Sequence, residues 1–141
     1  MIFISSVSPA QVLAAIDGCP EETAKEVSKR VHWFEWVFDR DDLATITDQD
    51  KANPSVVAPV SRLHPLRLQW LRTPEGAEAA QKHDYFLDRL TTGMDLGWIV
   101  IYSALGSDRH LLDGAQRLHA ALQFGTRRPG FGVKVYWTSP R

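Results

Sequence analysis

A single cysteine, Cys19, is present in the chain, which excludes an intramolecular disulfide framework and a zinc site built on cysteine. No apolar run reaches the length of a membrane span, and the N-terminus lacks the basic region and long apolar stretch of a signal peptide. A membrane partner is therefore not expected, and the expected location is cytoplasmic. Blocks of like charge are also missing, and the net charge is −1. The chain thus lacks the electrostatic footprint of a duplex-DNA binder, so nucleic acid is not an expected partner. No internal repeat or low-complexity segment occurs. What is there instead, 44% hydrophobic and 23% charged residues over 141 positions, suits a folded unit with a sizeable core rather than a disordered chain.

Residues 1–50 read as a helical extension that packs on a second unit, residues 51–141. Ser8-Pro9-Ala10-Gln11 has a capping-box pattern with proline at the first helical position, and Val12, Leu13 and Ile16 supply an apolar face. A second helix is expected from Glu21 to Phe38, because Ala24, Val27, Val31, Phe34 and Phe38 recur at spacings of three and four. Its second half, His32 to Phe38, is apolar nearly all round. This aromatic helix is a candidate face for a homodimer. The stretch Asp39 to Asp50 holds five aspartates, but it lacks the glycine and terminal glutamate of a calcium loop and reads as a solvated connector.

In the second unit, Val56 to Val60 is an apolar strand that Pro59 confines to an edge or bulge. Leu66 to Leu71 fits a strand or a turn of helix. Thr73-Pro74 opens a helix to about Thr92 with Gly93 as its stop, and Asp88 and Arg89 on it read as a surface pair. Trp98 to Tyr102 is an unbroken apolar run of the kind buried on both faces of a sheet. It is close enough to Arg109–Leu112 to pair with it as a hairpin. Val133 to Trp137 is the last strand, with Val133, Val135 and Trp137 on one face.

The most informative stretch is Asp108 to Gly125. A strand passes through the corner Asp113-Gly114 directly into a helix, Ala115 to Phe124. A helix that begins this abruptly leaves its first N–H groups without intrahelical partners, which suits the corner to an anion. Arg117, in the first turn, leans back toward the same spot. Gly114 lets another group approach the backbone. The reading is a phosphate clamp made of Gly114, Ala115, Gln116 and Arg117.

The run Leu112-Asp113-Gly114-Ala115-Gln116-Arg117-Leu118-His119-Ala120 resembles the G-x-x-R-x-x-A box of the ParB/sulfiredoxin superfamily. It is most similar to variants with an aspartate before the glycine, as in free-serine kinases of that superfamily. The resemblance spans about Pro54 to Trp137 and implies an α+β fold, a small mixed sheet with packed helices. It also implies a bound nucleotide, ATP or CTP. The strand at 56–60 would border the nucleotide pocket, making Arg62 and His64 candidate phosphate or base contacts. Asp113 would take a proton from an attacking hydroxyl or hold magnesium. A carboxylate beside phosphates repels them unless a cation intervenes, so magnesium is the expected metal.

Departures from the superfamily narrow these implications. Sulfiredoxin has cysteine where this chain has Ala115, so sulfinic-acid reduction is not expected. ParB partitioning proteins continue into a DNA-binding domain, whereas this sequence stops at Arg141. The serine kinases carry histidine at the positions of Ala115 and Gln116 and use a further glutamate, for which only Glu35 and Glu75 suggest themselves. The glycine-rich loop Gly125 to Gly132 carries Arg127 and Arg128, candidates for a lid that closes on a substrate's charge. Two readings follow: a nucleotide-dependent phosphotransferase or hydrolase acting on a small hydroxylated acceptor, or a non-catalytic binding or regulatory module. A ParB-like nuclease is a third.

Overall fold

The order of local signals along the chain decides which parts become strands. In the computed structural model, which describes residues 1–16, 21–48, 73–103, 109–125 and 132–140, strand β1 (Ile2–Val7) opens the fold. It runs into α1 (Pro9–Ala15) through the expected capping box. The Ser8 Oγ accepts from the Gln11 N–H at 3.2 Å, and Gln11 Oε1 accepts from the Ser8 N–H at 2.8 Å. Two backbone donors at the helix start are thereby satisfied.

The second helix is shorter than its periodicity implies. α2 covers Glu21–Lys29, and Trp33–Phe38 forms strand β2. Val31, a member of the expected helical stripe, is 77% exposed. Aromatic and branched side chains in the run Trp-Phe-Glu-Trp-Val-Phe favour a pleated strand, and a strand covered on both faces needs no polar alternation. Residues 1–48 thus place three strands in the sheet, the third being the two-residue Thr47–Asp48, and are not a helical extension. The aromatic segment expected to be a dimer-forming helix is a strand hydrogen-bonded on both sides, to β1 and β6.

Part of the aspartate-rich connector is structured. Asp39 caps the short α3 (Arg40–Ala44), its side chain and that of Asp42 exchanging backbone hydrogen bonds at 2.8 and 3.1 Å. The two-residue β3 (Thr47–Asp48) follows. The expected strand at 56–60, the segment 66–71 and the candidates Arg62 and His64 lie outside the described residues.

Helix α4 (Pro74–Thr91) ends as expected at Gly93, whose φ of 76° suits glycine. The Met94 N–H reaches the Arg89 carbonyl at 2.8 Å and the Gly93 N–H reaches that of Leu90 at 3.2 Å, so two orphan carbonyls at the helix end are satisfied. Strands β4 (Ile99–Tyr102) and β5 (His110–Asp113) pair antiparallel, as a hairpin requires. Helix α5 (Ala115–Gly125) and β6 (Val133–Trp137) complete the chain.

The result is a mixed α+β fold. Its six-stranded sheet has the order β1-β2-β6-β4-β5-β3, parallel at β6–β4 and β5–β3 and antiparallel elsewhere. Alternate residues face two cores. On one side Trp36, Phe38, Ile99, Ile101, Val135 and Trp137 pack against Leu43 of α3, Leu90 of α4 and Leu118 of α5. On the other, Trp33, Val100 and Tyr136 pack against Val12 of α1 and Val27 of α2. Strand β4 is thus buried on both faces, and β6 carries Val133, Val135 and Trp137 on one face as its alternation predicts. Each fully buried large apolar side chain contributes roughly 1.5–3 kcal/mol. Buried indoles also find acceptors: Trp33 Nε1 donates to the Val27 carbonyl at 3.2 Å, and Trp36 Nε1 to the Ser139 carbonyl at 2.9 Å.

Candidate functional site

The corner between β5 and α5 forms where the sequence places it. Gly114 has φ +100°, and a Cβ there would stand 3.3 Å from both the Ile99 Cα and the Trp98 carbonyl oxygen. A group that approaches this glycine closely is the protein's own β4 backbone. That packing fixes the start of α5 against the middle of the sheet. The first helical bond runs from the Leu118 N–H to the Gly114 carbonyl at 2.8 Å. The N–H groups of Ala115, Gln116 and Arg117 accordingly lie ahead of the helical ladder.

Around the corner the predicted residues serve different ends. Asp113 is half-buried, and burial pushes its carboxyl above the usual carboxylate range; the charges of Arg117 and Lys82 and the Gly114 N–H oppose that rise. Ala115 packs against the core. Gln116 Oε1 is buried without a hydrogen-bond partner among the described residues. His119 is buried. Arg127 and Arg128 lie outside the described residues.

Arg117 points away from α5 toward the end of α4. Its Nε donates to the Leu96 carbonyl at 3.2 Å, and its guanidinium lies 4.7 Å over the centre of the Phe86 ring. Gly97, with φ +89°, leaves it room, since a Cβ there would stand 3.1 Å from Nε. The guanidinium lines a cleft of about 370 Å³ with Tyr85, Phe86, Arg89, Asp95 and Gly97.

Arg89 is the cleft's second cation. Rather than pairing with Asp88, it donates from Nε to the Asp95 carbonyl at 2.7 Å and from Nη1 to the Tyr85 hydroxyl at 3.0 Å. Asp95 accepts from the Gly97 N–H and from Lys134 Nζ, each at 3.0 Å. Those two contacts, the amide first, hold its carboxyl below the usual range. Sequence reasoning missed Arg89, Tyr85 and Asp95. The available signal was the spacing of Tyr85 and Arg89, one helical turn apart and immediately before the Gly93 stop.

Among the described residues, no three His, Cys, Asp or Glu side chains converge as a ready-made metal cage. A lone carboxylate such as Asp113 nevertheless fits magnesium, which commonly takes one protein ligand and completes its shell with phosphate and water. Comparison with protein-family models, with curated proteins and with solved structures returns no match.

Proposed function

We propose that the β5–α5 corner and the adjoining cleft hold the phosphates of a nucleotide, ATP or CTP. The observation that carries this reading is Arg117. Its Nε is anchored on Leu96 while neither terminal nitrogen makes a hydrogen bond among the described residues. A guanidinium held by one edge offers its other edge as a fork for phosphate oxygens. The free amides at the start of α5 lie at the base of the same side chain. The resemblance of Asp113 to Ala120 to the ParB/sulfiredoxin box supports the same ligand.

In this reading Asp113 would hold magnesium, whose chemistry there is to offset repulsion between the carboxylate and the phosphates. Alternatively, with no metal on the carboxylate, its raised pKa suits it to take a proton from a small hydroxylated acceptor; either role makes phosphoryl transfer or hydrolysis the reaction class. A second reading, a non-catalytic nucleotide-responsive module, is favoured by the partial burial of Asp113 and its interaction with the Gly114 N–H, which give the carboxylate a structural part in the corner.

Thermal melting with ATP or CTP, with and without magnesium, tests the binding. The expected result is stabilisation of the native chain that Arg117→Ala abolishes while the variant still folds. Absence of any nucleotide effect on the native chain refutes the reading. Turnover against a panel of hydroxyl compounds then separates enzyme from module: Asp113→Asn retains binding and loses turnover if the carboxylate is catalytic.

A further inference from the structure

The two arginines of the cleft are suspended from neighbouring points of one loop. Arg89 Nε hangs from the carbonyl of Asp95 and Arg117 Nε from the carbonyl of Leu96, the next residue. They arrive from different helices, α4 and α5, and each lies over a ring of the adjacent pair Tyr85 and Phe86, whose centroids are 5.3 Å apart. Two like charges lining one cleft repel each other, and the repulsion is relieved by an anion between them. Among the described residues that anion is not supplied by direct pairing. Asp95 is the only carboxylate among the described residues that line the cleft, and its oxygens accept from Lys134 and the Gly97 N–H. Among the described residues neither arginine has a carboxylate within 4.0 Å. Arg89 Nη2 and both terminal nitrogens of Arg117 make no hydrogen bond there.

We infer that the cleft is a phosphoryl-binding subsite in which Arg89 is the second arm of the clamp, recognising the diphosphate or phosphomonoester end of a small molecule. The inference rests on the nucleotide reading for Arg117 and adds to it a residue, a location and a ligand class. A tetrahedral dianion offers oxygens to accept from the open edge of Arg117 and from Arg89 Nη2 at once. Arg89, Arg117 and Lys134 outweigh Asp95 in charge, so the cleft remains attractive to an anion with that carboxylate ionised. The volume of about 370 Å³ lies at the small end of ligand sites and admits a diphosphate with part of its organic group. Phe86 and Leu96 provide apolar wall for that part.

Calorimetric titration with pyrophosphate, without magnesium, tests the subsite, with inorganic phosphate and malonate as companion probes and circular dichroism to verify folding. The native chain is expected to bind pyrophosphate more tightly than malonate. Arg89→Gln and Arg117→Gln are each expected to weaken it at least tenfold. Arg89→Lys keeps the charge but not the anchored guanidinium that presents Nη2 and is expected to remain at least threefold weaker; it also serves if the glutamine variant does not fold. Failure of the native chain to bind pyrophosphate, malonate binding of equal strength, or a folded Arg89 variant within twofold of native overturns the inference. Repeating the titrations with ATP and CTP separates the two readings. Nucleotide binding that depends on Arg117 alone removes the Arg89 arm and keeps the nucleotide; pyrophosphate binding that depends on both arginines without nucleotide binding does the reverse.

Discussion

Replacing Gly114 by alanine tests how tightly the corner is built into the sheet. At φ +100° an L-residue is strained by about 1–3 kcal/mol. The new methyl group would also press at 3.3 Å on the Ile99 Cα and the Trp98 carbonyl. Both are backbone atoms leading into a strand bonded on both sides, and neither can swing aside, so overpacking adds at least about 1 kcal/mol. The lower flexibility of alanine in the unfolded chain offsets roughly 0.4–1 kcal/mol. The net loss is about 1–4 kcal/mol, or a fall in Tm on the order of 10 °C for a chain of this size. Gly93→Ala is the internal control. Its φ is +76° and nothing lies within 4 Å of the added methyl, so only backbone strain remains, about 1 kcal/mol. Calorimetric melts of the three proteins in one buffer give the comparison. If Gly114→Ala melts no lower than Gly93→Ala, the close approach of β4 to the corner is not what demands glycine there.

Two further substitutions probe separate parts of the fold. Ser8→Ala removes one half of the capping box and should cost about 1 kcal/mol, a few degrees in Tm; no change would mean that α1 is held by the burial of Val12 and Ile16 alone. Asp113→Asn should change the pH dependence of stability. Because burial raises the folded pKa above the unfolded one, the native state holds the proton more tightly, and stability falls as pH rises through the interval between those values. The Tm of the asparagine variant minus that of the native chain should therefore increase with pH from the usual aspartate range upward and then level off. A difference that shrinks with pH would show that Arg117 and the Gly114 amide outweigh burial.

Much of the fold was legible where one signal acted alone. Ser8 to Gln11, the Gly93 stop, the continuous apolar run of β4 and the alternation of β6 each reported the backbone state directly. Trp33 to Phe38 misled because a segment apolar on every side carries no phase, and the helical spacing before it extended through it unopposed. The location of Arg117 at the start of α5 was readable from the Asp-Gly corner. The direction of its side chain was not, since that depends on a carbonyl at Leu96, a residue distant in sequence. Arg89 stayed hidden for the same reason. An arginine on an amphipathic helix looks solvated until the loop following Gly93 folds back over it. Gly114 was singled out correctly for close approach, but only the tertiary structure identifies β4 as what approaches.

The order of strands has a consequence for how the molecule comes together. β6, the last described strand in sequence, lies between β2 and β4. Without it the described sheet would divide into two ribbons, β1–β2 and β4–β5–β3, each with an open hydrogen-bonding edge where β6 belongs. Joining them requires contacts between distant parts of the chain, and the stage before such non-local pairing is expected to be left slowly. A molecule stalled at that stage displays two sticky borders to its neighbours, and misassembly between chains competes with the insertion of Val133–Trp137.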